Sequence, residues 1–256
     1  MGMLFDTHSH IIDKRFDKDR DELLAGLKDR GVGNIVTVAC ERDEVEGCIK
    51  YAEKYDFIYA AFGVHPHNAG EMTDQDLDLI KKTCEHEKVV GVGEIGLDYH
   101  YDFSPRETQK IRFIQQLELA SELNMPAILH IREAFGDAID ILRSCKKPGK
   151  GVLHCFSGSY EFAKECLDMG FYVSFAGTIT FDNNKRGRDI AARIPKDMTV
   201  IETDCPYLAP HPMRGKRNDP GYVMYTAKTL AEIWDMDLDE TINKTTQNAK
   251  ELFGLK

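Results

Sequence analysis

The stretch Met3-Leu4-Phe5-Asp6-Thr7-His8-Ser9-His10 decides the fold. It opens as a short β-type run. Where an open doubly wound sheet would carry a glycine-rich phosphate loop, it ends on two histidines. Outward from it, strand-like runs alternate with helical ones to the end of the chain. The strand-like runs are Met3–Thr7, Asn34–Ala39, Ile58–Gly63, Val89–Glu94, Ala127–Ile131, Gly151–Cys155, Phe171–Ala176 and Met198–Thr203. Several are apolar on both faces, as buried parallel strands are. Helical spacing predicts Arg20–Arg30, stopped by Gly31, then Asp74–Glu85, Arg106–Leu123, Glu133–Arg143, Glu161–Met169, Tyr222–Ile233 and a closing Asp239–Phe253. The unit around Thr178–Ile194 carries the weakest pattern. Eight strand candidates, each followed by a crossover, in about 250 residues form the pattern of an α/β protein with a (β/α)8 TIM-type barrel. The expectation is one domain over residues 1–256, with an extra C-terminal helix.

Composition bounds the class. Apolar residues make up 42% and charged residues 30%, the balance of a globular protein. No run approaches the ~18 apolar residues of a membrane span, and no basic region precedes a long apolar one at the start. Both point to a cytoplasmic protein without a membrane partner; no protein partner is inferable. The seven cysteines are scattered, with no C-x-x-C pair, so neither a disulfide framework nor a zinc knuckle is indicated. The net charge of −10 gives no global footprint for nucleic acid, although bound cations and a local basic patch outweigh global charge at short range. Of the two basic runs, Lys185-Arg186-Gly187-Arg188 reads as an ordinary solvated loop, and Arg214-Gly215-Lys216-Arg217 stays a candidate.

The chemistry gathers at strand ends. His8 and His10 close the first strand, Glu94 the fourth, His130 the fifth, His154 the sixth and Asp204 the eighth. C-terminal strand ends of a barrel converge on one mouth. Residues i and i+2 of a strand point the same way, so both imidazoles of His8-Ser9-His10 face one point. The competing explanation is a hydrogen-bonded pair of core histidines, and the four downstream partners argue against it. Glu94 and Asp204 each follow an almost wholly apolar run, where an unpaired carboxylate would be costly and a cation would offset that cost. Six ligands exceed the three or four of a single catalytic zinc. They divide if Glu94 bridges two divalent ions, one on His8, His10 and Asp204, the other on His130 and His154. Asp204 is then placed to accept a proton from an attacking water, so Glu94 and Asp204 are the candidate catalytic carboxylates. The mixed donor set suits Zn²⁺, Mn²⁺, Co²⁺ or Fe²⁺ better than Mg²⁺.

Less decisive positions surround these. His65, after the third strand in Gly63-Val64-His65-Pro66-His67, is expected to contact substrate, with His67 behind it. Asp6 either orients a ligand histidine or caps, and Glu202 is an even candidate to hydrogen-bond a ligand. Cys155 and Cys205 follow ligand candidates, so alternation points them away from the mouth.

Taken together, D-x-H-x-H, G-V-H-P-H, G-E-I-G-L-D, H-x-R, L-H-C-F-S-G and E-T-D-x-P-Y-L, in that order, resemble the TatD-type metal-dependent deoxyribonucleases of the wider amidohydrolase-like barrel group. The resemblance covers nearly the whole chain and implies a two-metal site on the same six residues, with His65 near the substrate. Glu94 stands where many amidohydrolase relatives bridge their metals with a modified lysine. Glu133, where Asp commonly follows H-x-R, and Asp182, at a loop position often basic in relatives, depart from the pattern. The resemblance also implies DNA as the partner. Arg132, Lys216 and Arg217 are candidates to hold its phosphates, and Tyr99, Tyr101 and Phe103 to stack terminal bases. A deep mouth admits a strand end more easily than a duplex interior, which favours 3′-5′ exonuclease action on single strands or 3′ ends. The alternative is hydrolysis of an amide, lactone or aminoacyl ester on the same scaffold.

Overall fold

The computed structural model describes residues 2–256. Eight strands, β1 (Leu4–Ser9), β2 (Val32–Ala39), β3 (Ile58–Phe62), β4 (Val89–Asp98), β5 (Ala127–Arg132), β6 (Gly151–Leu153), β7 (Phe171–Phe175) and β8 (Thr199–Ile201), pair in parallel in chain order. Between them lie α1 (Arg20–Ala25), α2 (Val45–Lys54), α3 (Asp74–Thr83), α4 (Arg106–Glu122), α5 (Phe135–Ser144), α6 (Tyr160–Asp168) and α7 (Lys185–Arg193). After β8 come α8 (Val223–Trp234) and α9 (Leu238–Phe253). This is the TIM-type barrel expected from the alternation. No helix among the described residues is long and apolar enough to cross a membrane.

Two differences in the elements have local causes. The single helix predicted over Arg20–Arg30 stops at Ala25, beside Gly26, and resumes as a 3-10 turn before Gly31, whose φ of 82° is open to glycine. Between β2 and β3 stands α2, for which the sequence reading names no helix. Val45, Cys48, Ile49 and Ala52 nevertheless recur at helical spacing and pack on the outer core.

The strands separate two apolar layers. Leu4, Ile35, Ile58, Val92, Leu129 and Val173 face the helices. Phe5, Val36, Ala61, Val90, Ile128, Val152, Tyr172 and Val200 fill the barrel axis, together with Ala249, Leu252 and Phe253 of α9. The extra C-terminal helix therefore plugs the bottom. Phe253 lies 6.0 Å from Phe5, ring to ring, and the Asn248 side-chain amide donates to the carbonyls of Lys196 and Thr199 at 2.7 Å each. With that end closed, the opposite end is left for the site.

Between β1 and β8 there is no continuous ladder. The seam is a single bridge, Ser9 to Cys205, with Asp204 N–H donating to the His8 carbonyl at 2.9 Å and His10 N–H to the Cys205 carbonyl at 2.8 Å. Below it, the fully buried Asp6 carboxyl accepts from Thr203 N–H at 2.8 Å and from the Thr203 hydroxyl at 2.6 Å. Burial pushes the Asp6 carboxyl well above the usual aspartate range, against the pull of those two bonds. Asp6 thus clasps the two ends of the barrel and touches no histidine ring, so neither role considered for it from sequence is the one it plays.

Asp6→Ala, which leaves both Thr203 donors buried and unpaired, is expected to cost about 3 kcal/mol, and Thr203→Val, which keeps the backbone bond, about 1 kcal/mol. Denaturant midpoints measure both. Costs within ~0.5 kcal/mol of wild type for the Asp6 variant would rule out a clasp at this seam.

Candidate metal centre

Local backbone brings the side chains to the mouth. His8 lies in β1, whose pairing with β2 shifts register between Asp6 and Ser9. Glu94 does not close β4 as expected. The strand runs on to Asp98, and its pairing with β5 slips between Val92 and Ile95. Val92 and Ile95 both join the outer layer, so the extra residue between them is a bulge that leaves Glu94 directed inward. Gly96, at φ 146°, lies so close to the His130 carbonyl that no β-carbon fits there, which lets β4 and β5 approach at the site. β6 and β8 are only three residues long, so His154 and Asp204 stand just beyond them, Asp204 in the left-handed region at φ 55°.

The six expected ligands and His65 converge. Glu94 Oε2 lies 3.2 Å from His8 Nε2 and 3.8 Å from His10 Nε2. Its Oε1 lies 2.5 Å from His130 Nδ1, 2.8 Å from His154 Nε2 and 3.4 Å from His65 Nε2. Asp204 Oδ1 is 3.3 Å from His10 Nε2 and 3.9 Å from His8 Nε2. The two Nε2 atoms of His8 and His10 are themselves 3.2 Å apart. Nδ1 of His8 is buried without a hydrogen-bond partner among the described residues, leaving Nε2 as that ring's engaged atom. Imidazole nitrogens and carboxylate oxygens aimed at shared points are the donor set of a divalent transition-metal ion. Among the described residues, four groups lie close enough to hold one: His8, His10 and Asp204; His65, Glu94 and His130; His8, His154 and Glu202; and His10, Cys40 and Glu94. His65, expected at the substrate, is therefore also within ligand reach.

Burial and neighbouring charge act against each other here. Burial pushes the Glu94 carboxyl up, but the imidazoles of His154, His65 and His8 outweigh it and hold the group well below the usual range. Burial pulls His10 down, but the Asp204 carboxylate raises it to about 9. His65 lacks such an excess of partners, and burial takes it to about 4. Of the two carboxylates, Asp204 is the more open to solvent, its side chain 14% exposed against 4% for Glu94.

Behind the cluster stand groups that the motifs alone did not assign. Glu202, an even candidate from sequence, accepts from Cys155 N–H at 2.8 Å and lies 3.0 Å from His154 Nδ1. Asp98, quoted only as part of a motif, meets both His130 and His67. Asp98 stands three residues past Ile95, where the β4/β5 register shift ends, and no single sequence displays that register.

Around the cluster opens a cavity of about 830 Å³. Three expectations are corrected in its wall. Cys155 lines it instead of packing away, because the strand ends at Leu153 and Cys155 itself is left-handed at φ 44°, which breaks the alternation; Cys205 is buried as expected. Arg217 is not in the wall: its guanidinium is held by Asp19 at 2.7 and 2.6 Å and by the Arg15 carbonyl at 2.7 Å. Lys185-Arg186-Gly187-Arg188, read as a solvated loop, begins α7, and Arg186 and Gly187 line the cavity. Arg132 lines it as expected, its guanidinium 4.9 Å over the Tyr101 ring. Tyr101 and Phe103 stack at 5.2 Å on the rim, 49% and 68% exposed, whereas Tyr99 turns away to donate to Asp137 at 2.6 Å.

Comparison with known proteins agrees with this geometry. The profile of the TatD related DNase family matches residues 5–254. A Bacillus subtilis protein named an uncharacterized metal-dependent hydrolase is 47% identical over 99% of this chain and 100% of its own length. A protein of Erwinia tasmaniensis named 3′-5′ ssDNA/RNA exonuclease TatD is 32% identical over 98% of this chain and 100% of its own. The crystal structure of a TatD homologue from Escherichia coli K12 superposes with a TM-score of 0.93 at 31% identity, covering 99% of this chain and 98% of that one. The chain belongs to the TatD family of metal-dependent hydrolases.

Proposed function

We propose that this protein is a two-metal nuclease that removes nucleotides from the 3′ ends of single-stranded DNA. The observation that carries the reading is the division of Glu94: one oxygen faces His8 and His10, the other His130 and His154. A carboxylate so placed suits a bridge between two ions, with His8, His10 and Asp204 completing one set and His130 and His154 the other. Divalent ions held by these residues would lower the pKa of water and neutralise charge on the phosphate oxygens. Asp204, open to the cavity, accepts the proton of the attacking water at its carboxylate. His65 sits at the floor beside Glu94, facing the scissile group.

The wall offers contacts that suit a nucleic-acid strand. Arg132 and Arg186 both line the cavity, and neither forms a salt bridge among the described residues, which suits two positions for phosphate. The exposed Tyr101–Phe103 stack offers a face for a terminal base. Arg217 is left out of this assignment because Asp19 and the Arg15 carbonyl already engage it.

Metal-loaded protein is expected to shorten 3′-labelled single-stranded DNA stepwise; inertness with Mn²⁺, Mg²⁺ and Zn²⁺ alike, together with turnover of a model ester, would sink the reading. Glu94→Ala and Asp204→Asn are expected to lower kcat at least ~100-fold with the far-ultraviolet circular dichroism unchanged. Arg186→Ala is expected to raise KM roughly tenfold while Arg217→Ala leaves it near wild type, since one charge-assisted hydrogen bond is worth about 1.5 kcal/mol. In metal-stripped protein His10 keeps its proton up to about 9, and an ion must displace it. Apparent metal affinity is therefore expected to rise at least about tenfold per pH unit between roughly pH 6 and 8. A flat calorimetric profile over that range would exclude His10 as a ligand.

A further inference from the structure

Asp98 ends β4 with no solvent exposure, and all four of its acceptor positions are taken. Oδ2 lies 3.0 Å from His130 Nε2 and 3.1 Å from His67 Nε2. Oδ1 accepts from the backbone N–H groups of His100 at 3.0 Å and Tyr101 at 2.9 Å. The strand-side backbone is fixed as well: Gln109 accepts from Asp98 N–H at 2.9 Å and donates to the carbonyls of Asp98 and Ser104 at 3.2 and 2.8 Å. A carboxylate with every acceptor site filled is free neither to coordinate an ion nor to take a proton from water. What it does instead is join two bodies, the imidazole of His130 and the loop that carries Tyr101 and Phe103.

We propose that Asp98 is a positioning residue that couples ion binding at His130 to the order of the aromatic ledge formed by Tyr101 and Phe103. The inference rests on the reading of His130 as a ligand. An ion on His130 Nδ1 requires the ring proton on Nε2, and that nitrogen then donates to Asp98 Oδ2. The carboxylate so fixed holds the first turn of the loop through Oδ1. His67 bears on the same oxygen while its ring meets Tyr101 edge-on at 5.4 Å and Phe103 at 4.8 Å, so the ledge is tied twice to one carboxylate. The end of the site that holds ions and the end that would hold a base thus share one buried group. Asp98→Asn breaks this link with little change in volume, because its –NH₂ faces either two imidazole donors or two backbone donors.

The test pairs calorimetric titration of Zn²⁺ or Mn²⁺ with hydrogen exchange of the wild-type chain and Asp98→Asn. Loading the wild type is expected to slow exchange at the His100 and Tyr101 amides about tenfold. In Asp98→Asn, the second ion equivalent is expected to bind ~10–100-fold more weakly and the first as in wild type, with loading no longer slowing the loop. A purely structural role for Asp98 would speed loop exchange equally with and without metal. That result, or two ions bound by the wild type with no change at His100 and Tyr101, overturns the coupling. Should the variant not fold, the wild-type exchange comparison alone decides. Failure of the wild type to bind ions overturns the metal reading itself, and the coupling with it.

Discussion

Everything at the mouth depends on how the eighth strand meets the first. Among the described residues, the β1–β8 junction includes one bridge, two backbone hydrogen bonds, the Thr7 hydroxyl donating to the Ile201 carbonyl at 3.0 Å, and the buried Asp6–Thr203 clasp. His8 and His10 lie on one side of it and Asp204 on the other, and the Asp204 N–H bonds directly to the His8 carbonyl. The seam that closes the barrel and the cluster of His8, His10 and Asp204 are therefore the same few residues. A long ladder would have carried β8 onward as regular strand. Ending it at Ile201 frees Asp204 to take the left-handed backbone that aims its carboxylate at the two rings.

The opposite half of the site is built on irregularity in β4. A regular strand would alternate through Val92 and Ile95 without placing a carboxylate on the axis; the bulge between them does so. The consequence is a buried charge ringed by imidazoles on both oxygens, with Asp98 and Glu202 holding the far nitrogens of His130 and His154. Buried charges in such a ring stabilise one another only as a set, since removal of one leaves its neighbours uncompensated in a poor dielectric. The apolar plug of Ala249, Leu252 and Phe253 at the far end supplies the rigid base against which this polar layer is held.

The alternation of strands and helices was legible because period-2 and period-3.6 patterns are local properties of the chain. The ligand types were legible for a related reason: histidine pairs and lone carboxylates at the ends of apolar runs have few inexpensive fates. What the residues did not disclose lies where local pattern stops. Cys155 was misplaced because alternation was carried one residue past a strand that had ended. Arg186 lines the cavity and Arg217 does not, because a basic run does not say whether an acidic partner such as Asp19 waits about two hundred residues away. Asp98 shows the remaining case, a contact that needs the β4–β5 register, whereas the α2 segment did carry a local helical pattern in Val45, Cys48, Ile49 and Ala52.

The sequence by itself therefore determined the barrel, the end of it that carries chemistry, and which side chains are able to hold an ion. Tertiary structure alone decided that His65 also comes within reach of Glu94, that Asp204 is the more open of the two carboxylates, and that Arg186 lines the cavity while Arg217 is held by Asp19. The reason is physical. Residue type and spacing fix what a side chain can do and which face of an element it takes. Its direction beyond a strand end, and its partner across the barrel, depend on backbone conformations and registers set by contacts distant in sequence.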